Sequence, residues 1–173
     1  MAGGVGAAAG GVASAMDDSK EKARSDGYQQ GKADSKAEYS AKLEKLLRAF
    51  KIAEQQLKEH EAYSNYLVAL SAVGFSCAAC DGSIDAIERE EIQEFLAGIG
   101  YSKLPVIIQE KIQSFINYPP NIQTAFALAQ KIGLDDAGFK VFDELIEVAI
   151  YADGFEHAKE SAFRTAWLEL KAA

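Results

Sequence analysis

The sequence predicts an all-α fold: a compact bundle of six or seven helices preceded by an N-terminal helical stalk. Three observations carry this. Apolar residues recur at steps of three and four from residue 37 to residue 171. A run of 15 residues, Tyr66 to Cys80, is almost wholly apolar and ends abruptly in Asp81-Gly82. No segment alternates at period two with β-branched residues, so no strand is expected.

Composition sets the frame. The chain has 173 residues, 49% hydrophobic and 25% charged, enough for one domain with a real core plus an appendage. The net charge of −8 is unevenly placed. Residues 17–63 hold ten basic and ten acidic side chains, whereas residues 64–173 hold eight and sixteen. An acidic globular part repels phosphate backbones, so nucleic acid is not an expected partner. A cation or a basic protein surface is. Two cysteines make no disulfide framework, and they suit a reducing, cytoplasmic setting.

Three segments are expected. Residues 1–16, MAGGVGAAAGGVASAM, form a Gly/Ala-rich leader. Gly6 and Gly10, with Ala7 and Gly11, have the small-residue spacing of a glycine zipper. The leader is therefore read either as a flexible lead-in or as a membrane-associating segment. Residues 17–60 are a charged linker followed by an amphipathic helix, and residues 61–173 are the helical domain.

The helix expected over residues 37–60 carries Tyr39, Leu43, Leu46, Phe50, Ala53 and Leu57 on one seam. Packing on the domain is the first reading of that seam, and self-association through residues 39–57 the second. Residues 62–80 are apolar on nearly every face, the pattern of a helix in the middle of a bundle. An amphipathic helix over 85–98 follows, with Ile84, Ile87, Ile92, Phe95 and Leu96 facing in. Leu104-Pro105 opens a helix that Tyr118-Pro119-Pro120 stops. Helices over 121–132, 136–152 and 156–171 complete the set, with Asp135-Asp136 suited to a helix start and Gly133 to a helix end.

The candidate site lies at two corners. Asp81-Gly82-Ser83-Ile84-Asp85-Ala86-Ile87-Glu88 aligns with Asp153-Gly154-Phe155-Glu156-His157-Ala158-Lys159-Glu160. Each has an apolar helix before an Asp-Gly turn and a glutamate seven residues after the aspartate. Brought together, Asp81, Asp85, Glu88, Asp153 and Glu160 would offer oxygens to a divalent metal: calcium, manganese or zinc. An EF-hand is excluded by the missing first half of its loop, where Cys77 and Ala79, or Ala149 and Tyr151, stand in place of ligands. The competing reading is structural: Asp85 and Glu88 have capping-box spacing, and both Asp-Gly pairs are turn signals.

The helix ending in Ala79-Cys80-Asp81-Gly82 with Glu88, and the second corner Ala152-Asp153-Gly154 with Glu160, resemble the TerB-like (tellurite-resistance) helical domain family over residues 62–171. The resemblance implies a compact helical bundle without catalytic activity. It also implies an acidic metal site at Asp81, Glu88, Asp153 and Glu160, and a role in stress-response or membrane-linked complexes. At the second corner Glu156 and His157 replace the counterparts of Ile84 and Asp85.

Cys77-Ala78-Ala79-Cys80 closes a helix beside Asp81, where the dipole disfavours thiolate, so both cysteines read as small core residues. The expected function is a non-enzymatic, acidic binding module with a protein partner. The alternatives are a membrane-active or secreted protein with a glycine-zipper N-terminus, and a metal- or thiol-dependent enzyme.

Overall fold

The structure, a computed structural model, describes residues 12–57, 60–82, 84, 86–98, 100–152 and 156–173. The side chains of residues 12–33, His60, Glu88 and Glu91 fall outside that description. The described residues form seven α-helices and no strand: α1 (Val12–Gln56), α2 (His60–Ala78), α3 (Ala86–Gly98), α4 (Val106–Asn117), α5 (Ile122–Gln130), α6 (Asp136–Ile150) and α7 (Ala158–Ala172). The all-α bundle is as expected.

The chain divides into two units, Met1–Glu38 and Tyr39–Ala173. The first is helical from Val12, through the last residues of the expected Gly/Ala leader and the residues for which a charged linker was expected. This stretch contains no proline, and Lys, Glu, Gln and Ala offset the cost of Gly27 and Gly31. The glycine-zipper spacing of residues 1–11 lies outside the described residues.

In the second unit α2 is the central helix. Every residue from Tyr66 to Ala78 is buried, with α3, α4, α5 and α6 packed around it. Length and composition alone would let Glu61–Asp81 cross a bilayer, but most of that span is buried among the other helices. Its serines need partners in such a place, and Ser71 Oγ donates to Leu67 O at 2.7 Å, one turn back. Gly74 admits Leu145 of α6, whose side chain comes within 3.6 Å of where a Cβ would stand.

Short polar side chains cap the helix starts, at Asp135 as expected and at Asn121 in addition. Asn121 accepts from Thr124 N at 2.8 Å to open α5, and Asp135 accepts from Gly138 N at 2.8 Å to open α6. That amide, with the Gln56 side chain, holds the Asp135 carboxyl below the usual carboxylate range. On α3, Ile92 and Leu96 are buried as expected, but Ile87 is 54% exposed, a correction to the expected inner face. Nine residues separate Ile87 from Leu96, which sets them about 180° apart around the helix. Only one of them can face α2.

Candidate functional site

The first corner begins where α2 tightens into a 3-10 turn, Ala79–Asp81. Gly82 ends it at φ +106°, a left-handed conformation that glycine adopts without a Cβ penalty, and its N–H donates to Ala79 O at 3.0 Å. Asp81 is exposed. This turn packs against α7, and Lys159 Nζ donates to Asp81 O at 3.0 Å. The start of α7 therefore lies beside the first corner, bridged by an ammonium group.

Of the five candidate metal-binding carboxylates, Asp85 and Asp153 and the Glu88 side chain lie outside the described residues. Glu160 is buried, and its Oε2 accepts the His157 N–H at 2.6 Å, closing a capping box on α7. Capping of the kind expected at Asp85–Glu88 is thus seen at His157–Glu160. Among the described residues no group of three or more His, Cys, Asp or Glu side chains is placed to hold an ion.

A cap makes a measurable prediction. Glu160→Ala should lower unfolding free energy by about 1 kcal/mol, read from urea titration. Glu160→Gln keeps an acceptor oxygen and should lose much less. Calcium, manganese or zinc that stabilised the wild type but not Glu160→Gln would instead mark Glu160 as a ligand.

Cys77 is buried and Cys80 half-buried, at the C-terminal end of α2. That agrees with the expectation of small core residues.

A second polar cluster joins three helices. Glu147 of α6 accepts Lys42 Nζ of α1 at 3.1 Å and lies 2.6 Å from Arg164 Nε of α7. Arg164 also reaches Glu156 at 2.7 Å, and Lys42 sits 3.9 Å from the centre of the Tyr151 ring. Ser161 donates to Glu156, and with Arg164 it holds that carboxyl below its usual range. Spacing along the chain did not single out this cluster. A signal was present: Asp143 and Glu147 stand one turn apart, bordering the apolar face of α6.

A farther pair of bonds ties the end of α1 to the start of α6. Gln56 Nε2 donates to Asp135 Oδ1 at 2.7 Å, and Asp135 N donates to Gln56 Oε1 at 3.3 Å. The unit Tyr39–Ala173 holds a groove of about 410 Å³. Its walls are α1 (Tyr39, Leu43, Leu46, Leu47, Phe50), α3 (Ile92, Phe95, Gly98) and α6 (Leu145, Val148, Ala149), with Ala78 and Ala152. Lys51, Glu54 and Glu94 supply its charged lining, and all three are exposed at the rim. Leu47 is 45% exposed although it lines the groove. The α1 seam was legible in the sequence, but the open space it shares with α3 and α6 was not.

No family model, curated protein or solved structure matches this chain.

Proposed function

We propose that this chain is a non-enzymatic docking module, which takes an apolar segment of a partner protein in the groove between α1, α3 and α6. The observation that carries the reading is the groove itself. Its volume falls in the range of binding clefts, about 300–1,000 Å³. Its floor is aliphatic and aromatic, and its charged groups stand only at the rim. Such a lining binds by burying apolar surface, with rim charges selecting the partner. The acidic balance of residues 64–173 supports a partner with basic groups. A stress-response or membrane-linked complex, the setting implied by the TerB-like resemblance, belongs to the same proposal.

The test is a selection of short displayed peptides against the folded chain, followed by chemical-shift mapping of the binders. Binders should shift Leu47, Phe95 and Val148, and Leu47→Glu should weaken them by about tenfold or more. Binders that shift only residues elsewhere would overturn the docking role of the groove.

A further inference from the structure

We infer that residues 39–56 of α1 are a detachable strap, which lifts off as a unit while α2 to α7 keep their packing, and that two polar clamps hold it down. The inference does not depend on the docking role proposed above.

The seating of α1 differs from that of the other helices. Among the described residues, α3, α4, α5, α6 and α7 each run close to α2, whereas the α1 backbone approaches other helices at isolated points only. Four α1 side chains are buried, Leu46, Ala49, Phe50 and Ala53. The groove of about 410 Å³ leaves unfilled space along one side of that stripe. Within this unit α1 is joined to the other helices only through its C-terminal end. Its departure therefore breaks none of the contacts among α2 to α7. Elements with few tertiary contacts open at lower free energy than the core.

The clamps are built to be left. At one end Lys42 Nζ sits 3.1 Å from Glu147 Oε2, and both side chains are partly exposed, at 17% and 30%. When Lys42 leaves, Glu147 keeps Arg164 Nε at 2.6 Å. At the other end Gln56 bonds the Asp135 carboxyl and the Asp135 N–H, both in exposed positions. When Gln56 leaves, Asp135 Oδ1 keeps the Gly138 N–H at 2.8 Å. Neither carboxylate is orphaned, so opening does not bear the cost of a buried unpaired charge.

Gly138 makes room for the second clamp. A Cβ there would stand 2.6 Å from Gln56 Oε1 and 2.9 Å from its Cδ, so a side chain at 138 pushes that amide off Asp135. Since α1 forms one wall of the groove, the strap sets the fraction of molecules in which the groove exists.

The experiment measures thiol labelling of the full, unliganded chain, with mass spectrometry assigning the label to each cysteine. The reporters are Ala53→Cys on α1 and Ala72→Cys on α2, both at fully buried positions. Thermal melting confirms folding, and Ala49→Cys or Ala125→Cys replaces a reporter that fails to fold. Residue 53 should label about tenfold or more faster than residue 72. Lys42→Met and Gly138→Ala should each speed labelling at 53 by roughly threefold or more. Trp167→Phe loosens α7 from Phe126 and Phe139, contacts that remain when α1 lifts. It should speed labelling at 72 and leave 53 unchanged. Equal rates at 53 and 72, both raised by Trp167→Phe, would mean that α1 leaves only when the whole domain unfolds, and would overturn the inference. Fast labelling at 53 that ignores Lys42→Met and Gly138→Ala would overturn the role of the clamps.

Discussion

Trp167→Ala should lower the unfolding free energy of the bundle by about 3–5 kcal/mol, the range for removing a fully buried large aromatic. Trp167 is 1% exposed. Its ring lies 5.0 Å from Phe126, 6.0 Å from Phe139 and 6.3 Å from Phe142, centre to centre. It therefore fastens α7 to both α5 and α6. The indole N–H also donates to Asp143 Oδ1 at 2.9 Å, and Lys171 holds the other Asp143 oxygen at 2.6 Å. Truncation opens a cavity and leaves that carboxylate with one partner fewer. Urea titration gives the free energy, and the melting temperature should fall by roughly 10 °C or more. Leu168→Ala is the control. Leu168 is 52% exposed, and its truncation should change stability by no more than about 0.5 kcal/mol. A larger loss at Leu168 than at Trp167 would mean that α7 presents a different face to the core.

Tyr66→Phe should raise stability by about 1–2 kcal/mol, against the usual direction for a core substitution. Tyr66 is fully buried, and its ring packs 5.6 Å from Phe50, 6.3 Å from Tyr63 and 6.3 Å from Phe142. Its hydroxyl has no hydrogen-bond partner among the described residues. A buried polar group in that condition gives up its water and gains nothing in return. Burial, with Tyr63 and Glu54 nearby, raises the phenol pKa far above the usual tyrosine value, so the neutral form persists. Phenylalanine keeps the ring contacts and removes the unmatched oxygen. Tyr101→Phe supplies the contrast, because Tyr101 Oη donates to Gln109 O at 3.0 Å. That change should cost about 1 kcal/mol. Destabilisation by Tyr66→Phe of a similar size would reveal a partner for its hydroxyl.

These predictions show where the sequence was informative. Phe163 and Trp167 are one turn apart, a spacing that sets both on one face of α7, and both are buried. A helix with no polar face has one stable location, so the central place of α2 followed from residues 66–80. The helix start at Asp135 was legible because a short polar side chain there reaches the first free amides, and Asn121 opens α5 by the same contact without having been singled out. The α3 face was not, because Ile87, Ile92, Phe95 and Leu96 cover more of its circumference than one neighbour can bury. The corners show the same division. Asp81-Gly82 announced a turn, but only the packing of that turn on α7 brought Lys159 to the Asp81 carbonyl.

By itself, the sequence determined the helical class, most helix limits, the buried stripes and the acidic balance. Each of these depends on neighbours within a few residues along the chain, or on composition. The tertiary structure alone decided that Ile87 faces water, that Glu147 gathers Lys42 and Arg164, and that α1, α3 and α6 leave an apolar groove between them. Those outcomes depend on distances between helices far apart in sequence. Helix periodicity tells which face is greasy, but not whether the facing helix fills the space in front of it.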